Sequence, residues 1–144
     1  YGILFGVMAL GITLGAALSS RQSSPELAML AGAAGLLGAA VLLAVAYAVG
    51  ASLLWITPVY FVLLVMLGIT LPAAMTAALS RHRARSGLAA AVLGAVGFGG
   101  GGLVAPLTTL GTPTVTTACL FIVSAVALVV IGIALRRFTR ESRV

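Results

Sequence analysis

Five long apolar runs divide the chain, at positions 1–18, 27–49, 53–79, 87–107 and 115–135, and none of them contains a charged side chain. A helix that crosses a bilayer needs about 20 mostly apolar residues, with a range of about 17–25. These runs meet that requirement. Closed β-barrels, the other way to satisfy backbone hydrogen bonds in lipid, are built from short segments that alternate apolar and polar. The runs here are apolar on every face and rich in Ala, Leu and Gly. The pattern therefore predicts an all-α integral membrane protein with five transmembrane helices and a short tail at 136–144.

The polar gaps set the expected orientation. Arg21 lies in the first connection, Arg81, Arg83 and Arg85 in the third, and Arg136, Arg137, Arg140 and Arg143 in the tail. The second connection (50–52) and the fourth (108–114) carry no charge. Threading five spans puts all eight arginines on one side, which the positive-inside rule assigns to the cytoplasm. Residues preceding Tyr1 then lie outside. The chain opens inside an apolar run, without an initiator Met or the basic leader of a signal peptide, and is read as a piece of a longer protein.

Composition narrows the function classes. With 62% apolar and 7% charged residues among 144, the chain cannot coat a soluble domain, which is typically about a quarter charged. Its formal charge of +6 comes in short arginine clusters, with no basic face interleaved with aromatics, so nucleic acid is not an expected partner. The lipid bilayer is. No span holds Asp, Glu, His, Lys or Arg, the groups that build intramembrane proton relays. The same lack removes the constellations an intramembrane protease or haem enzyme requires. No enzyme activity, catalytic residue, cofactor or metal site is expected. Ser19 and Ser20 have no nearby base, His82 sits in an arginine loop, and Cys119 reads as a small packing residue in an apolar run.

Eighteen glycines need a reason, since each weakens a helix interior by about 1 kcal/mol relative to Ala. Small residues let membrane helices approach closely, and Gly2/Gly6, Gly11/Gly15 and the stripe Gly87, Ala91, Gly94, Gly101 and Ala105 are the expected contacts, whether for static packing or for sliding. Gly97 to Gly102 formally match a dinucleotide fingerprint, but the required strand and acid are missing. The run reads instead as a deformable point before Pro106. Pro58 is expected in the first turn of the third span, where a missing N–H is harmless. Pro72 lies deep in the same span and leaves the Gly68 carbonyl without its helical partner. Thr70 and Thr76 are candidates to satisfy the freed groups.

Three stretches carry a family resemblance. They are Tyr1-Gly2-Ile3-Leu4-Phe5-Gly6 running on to Gly11 and Gly15, then Leu71-Pro72 through Ala78, and Ser86-Gly87-Leu88-Ala89-Ala90-Ala91-Val92-Leu93-Gly94 followed by Phe98 and Gly99. In this order they resemble spans eight to twelve of a major facilitator superfamily drug–proton antiporter of the bicyclomycin and chloramphenicol resistance (Bcr/CflA) type. The chain departs from that pattern at Ala73, where the family has Asn, at Ala90, where it has Ser, and at Gly97, where Gln is common. The resemblance implies proton-coupled efflux of hydrophobic small molecules by alternating access in a bacterial inner membrane. It makes the missing N-terminal spans a partner and the source of the coupling acid. It implies that spans one, three and four face the central cavity while two and five face lipid, with Thr70, Pro72, Met75, Gly94 and Phe98 as substrate-cavity candidates. The alternative from composition alone is a small non-transporting helical membrane protein acting through helix packing or oligomerisation.

Overall fold

The computed structural model describes residues 2–81 and 86–106 and scattered positions between 116 and 133. Four helices follow in order: α1 (Gly2–Ser20), α2 (Pro25–Ala48), α3 (Leu53–Arg81) and α4 (Ser86–Val104). All four are long and apolar enough to cross a membrane. Of the fifth expected span, Thr116, Cys119 and Ile133 are among the described positions, and they are helical. Cys119 is exposed there rather than packed. His82, Arg83, Arg85, the 108–114 connection and the basic tail lie outside the described residues.

The helix limits follow from local chemistry. α1 runs past its apolar stretch to Ser20, whose hydroxyl donates to the Ala17 carbonyl. α2 starts two residues before its predicted limit because Ser24 caps it, accepting from the Leu27 amide at 3.2 Å, with Pro25 in the first turn. Both residues suit those positions, one as a side-chain acceptor and the other because it has no amide proton to leave orphaned. Glu26 falls in that first turn, where the helix dipole favours a negative charge. Gly50, just past the C-cap Val49 of α2, takes the left-handed conformation, at φ +66°. That backbone suits glycine, which has no Cβ to clash.

α3 is the centre of the assembly. It packs along α1 on one side and α2 on another, and only marginally against α4. Contacts pair Gly11 and Gly15 of α1 with Phe61, Val65 and Gly68, so α1 and α3 run in the same direction. Gly32 meets Ile69 and Thr70, and Gly35 meets Met66, so α2 runs the opposite way. One end of the bundle therefore collects Arg21 and Arg81, and the other collects Phe5, Tyr47, Trp55 and Tyr60.

The core is carried by Leu36, Ala39, Ala40 and Leu43 of α2 around Leu63 of α3, with Ile122 packed against them. A second cluster joins Ala28, Met29 and Ala73. α2, which the resemblance places on the lipid side, is thus the most buried of the four helices. Its small residues at close to every fourth position let α3 settle against it. Outward, Ile3, Trp55 and Phe98 are 87%, 69% and 88% exposed. Such apolar surface is out of place on a soluble monomer and suits hydrocarbon surroundings.

Candidate functional site

Glycine chemistry decides where the helices touch. A Cβ built on Gly15 would strike the Val65 carbonyl and the backbone of Gly68, and one on Gly68 would strike the Ile12 carbonyl. The two glycines let α1 and α3 meet backbone to backbone. Gly11 sits one turn away with the Phe61 ring 3.0 Å from its Cβ position. The Gly11/Gly15 pair is therefore a helix contact, as expected. Gly2 and Gly6 meet none of the described residues, since none lies within 4 Å of either Cβ position. Gly87, Gly94 and Gly101 in α4 are equally open. These three glycines of the α4 stripe make no close contact with the described residues, and the helix continues unbroken through Gly99–Gly102.

The two prolines of α3 behave differently from their sequence reading. Because α3 begins at Leu53, Pro58 falls in the second turn, inside the helix rather than in its first turn. It therefore removes a helical bond to the Leu54 carbonyl. The Thr57 hydroxyl donates to the Leu53 carbonyl at 2.7 Å, within the same weakened stretch. Around Pro72, Thr70 donates to the Met66 carbonyl at 2.7 Å and Thr76 to the Pro72 carbonyl at 2.8 Å. Each hydroxyl bonds back to the carbonyl four residues earlier, so the expected compensation at Gly68 is not what these threonines provide. Gly68 itself is needed for the approach of α1.

Among the described residues, concavities lie near the helix ends. At the aromatic end, α1 and α3 are separated by larger side chains and leave two apolar grooves. One, of about 540 Å³, is lined by Phe5, Met8, Tyr47, Thr57, Tyr60 and Leu64 among others. The second, of about 510 Å³, lies on the other side of the α1–α3 line, against Val7, Leu54, Pro58 and Phe61. Leu4, Met8, Leu53 and Thr57 border both. At the arginine end a smaller notch of about 230 Å³ is bounded by Ser19, Ser20, Gln22, Pro72, Ala73 and Thr76.

Both grooves have volumes in the range of small-molecule sites, about 300–1,000 Å³. Their walls are carbon apart from the hydroxyls of Thr57, Tyr47 and Tyr60. A charged ligand would lose its hydration there without an ionic partner among the described residues.

The five cavity candidates do not converge. Thr70 is buried at 2% exposure in the α2–α3 seam, with its hydroxyl oxygen 2.5 Å from where a Gly32 Cβ would stand. Pro72 borders the notch. Met75 is 49% exposed on α3, Phe98 is almost fully exposed on α4, and Gly94 lies partly buried on α4. The residues that line the grooves were missed, although a signal existed. Leu4/Met8 and Leu53/Thr57 have the i, i+4 spacing of one helix face, and the tyrosines and the tryptophan cluster at one end once the helices are threaded. Among the described residues no group of acids, histidines or cysteines is placed to hold a metal. Comparison with protein-family models, curated proteins and solved structures finds no match to this chain.

Proposed function

We propose that the chain is part of a membrane transporter that moves apolar small molecules, with the α1–α3 grooves forming part of the substrate path. The observation that carries this reading is the pair of carbon-walled grooves at one end of a seam that is closed backbone to backbone at its middle. A substrate path needs room at an end and a seal elsewhere, which suits alternating access. The resemblance to drug–proton antiporters of the major facilitator superfamily adds the direction, efflux, and the driving force, protons. It implies a bacterial inner membrane, and the clustered arginines imply a cytoplasmic arginine end and C-terminus. The described helices offer no acid beyond Glu26 in the first turn of α2, so the coupling carboxylate belongs to spans outside these 144 residues.

The test is dye accumulation in an efflux-deficient bacterium. Cells expressing the five spans alone should retain an apolar fluorescent dye like the empty strain. Cells expressing them with the spans encoded upstream should exclude it until the proton gradient is collapsed. Retention in both strains overturns transport, and exclusion by the five spans alone overturns the assignment of coupling to other spans.

The open glycines of α4 favour a second reading, a non-transporting protein that associates through that helix. Cross-linked oligomers in the membrane that disappear on bulky substitution of Gly94, together with dye retention in both strains, would select it.

A further inference from the structure

The connections at the two ends of α2 are built from opposite chemistry. Before it the chain reads Arg21-Gln22-Ser23-Ser24, and the first three of these side chains are exposed. After it, Val49, Leu53, Leu54 and Trp55 are 73%, 74%, 80% and 69% exposed, and no charged residue stands between Glu26 and Arg81. The backbone of this apolar turn is closed on itself. The Val49, Gly50 and Ala51 amides donate to the Val45, Tyr47 and Ala46 carbonyls, and the Trp55 and Ile56 amides donate to the Ser52 carbonyl. Ile56 also packs on the core around Leu63, which holds the turn in place. Surroundings poor in water require such internal pairing, whereas a loop in water can leave it to the solvent. Among the described residues the Ser52, Leu53 and Leu54 amides have no partner, so polar groups must also lie within reach.

Length sets the level of the turn. α2 has 24 residues and rises about 36 Å. The hydrocarbon core is about 30 Å thick, and the bilayer with its headgroups about 40–45 Å. With Arg21 and Ser24 in one headgroup layer, the turn falls in the other rather than in bulk water. Tyr47 and Trp55 suit that level, since each has an apolar ring and one polar group. A protein partner is a poorer match, because protein interfaces are rimmed by polar residues and the turn offers little beyond Ser52.

We propose that Val49, Leu53, Leu54 and Trp55 form an apolar tip seated in the headgroup–acyl boundary of the leaflet opposite the arginine end, with the lipids of that leaflet as its partner. The aliphatic side chains are covered by acyl chain, and the indole N–H and the three open amides meet headgroup oxygens or interfacial water. The mouths of both grooves, bordered by Leu4, Leu53 and Thr57, then open at that boundary. The seating does not depend on transport.

Trp55 is the one tryptophan of the chain, so its emission reports on the tip directly. The full chain is placed in phosphatidylcholine vesicles whose acyl chains carry bromine either near the headgroup or near the chain end. Iodide on both faces of the membrane is the water probe. Bromine near the headgroup should give the largest loss of emission, bromine near the chain end a smaller loss, and iodide the smallest. A second chain, Trp55→Phe with Val62→Trp, carries its tryptophan about 10 Å further along α3, and there the order of the two bromines should reverse. A greater loss with iodide than with either lipid puts the tip in water and overturns the proposal. Weak quenching of Trp55 by all three means that protein covers the tip, and overturns lipid as its partner. Stronger quenching of Trp55 by the deep bromine, or the same order in both chains, overturns the level. Failure of dye exclusion with the expected quenching order would count against transport and leave the seating intact.

Discussion

The glycines of the α1–α3 seam and those of α4 are the same residue in similar apolar helices, yet they do opposite things. At Gly15 and Gly68 the missing side chain is filled by another helix's backbone, whereas at Gly87, Gly97 and Gly99 none of the described residues lies within 4 Å. A glycine costs a helix about the same wherever it sits. In the seam that cost is offset by dispersion contacts between close-packed backbones, which drive association where lipid removes the hydrophobic difference. In α4 no described neighbour supplies the offset. Small residues in a membrane helix therefore mark the capacity to pack, and only a partner converts that capacity into stability.

The largest expected effect comes from closing the seam's gap. Gly15→Ala or Gly68→Ala forces a methyl group into backbone atoms that cannot rotate away, so α1 must separate from α3. We expect a loss of about 1–3 kcal/mol or more, the range for overpacking, read as a fall in unfolding midpoint in detergent micelles. An unchanged midpoint would mean that the seam is already loose.

Gly32→Ala comes next, because the new methyl meets the Thr70 hydroxyl oxygen at 2.5 Å and the Thr70 amide nitrogen at 3.1 Å. A loss near the lower end of the same range is expected, about 1 kcal/mol. Adding Thr70→Ala should recover part of it, giving coupling of about 0.5 kcal/mol or more between contacting sites. Strict additivity would show that Thr70 is not the obstacle.

Gly35→Ala should cost less, below about 0.5–1.5 kcal/mol, because the obstructing atoms belong to the flexible Met66 side chain. If it matched Gly15→Ala in the same assay, the distinction between yielding side chain and fixed backbone would be lost.

The smallest effect reverses sign. Gly99→Ala and Gly100→Ala in α4 should raise helix stability by about 0.5–1 kcal/mol each, visible as a higher melting midpoint by circular dichroism. A destabilisation as large as that of Gly15→Ala would show that α4 has a close partner, and the contrast between the two regions would disappear.

Much of the fold was legible along the chain. The long uncharged runs marked the four described helices to within a few residues, because burying a charge or leaving a backbone group unsatisfied in lipid is costly at every position. The misplaced limits, at Ser20 and Pro25, came from capping chemistry that apolar counting ignores. Gly11/Gly15 was readable as a contact, but nothing separated it from Gly2/Gly6, since both have the same spacing. Pro58 was misjudged although α3 starts at Leu53 as expected, because it falls past the first turn, where a missing amide proton does remove a helical bond.

The candidate site was much less legible. Thr70 looked like a polar group available to a substrate, yet it lies buried against Gly32. The groove-lining Leu4, Met8, Tyr47 and Tyr60 were not singled out along the chain. A side chain's exposure is a property of the neighbouring helix as much as of its own, and the chain does not name that neighbour.

The sequence alone determined that the helices exist, their approximate lengths and the sparing use of charge, since these follow from local solvation of each segment. The tertiary structure alone decided which glycines are contacts, that α3 sits between α1 and α2, and that the space left over lies at the ends of the seam. Those outcomes depend on which backbones meet, and packing between helices is set by shape across the pair rather than by either helix alone.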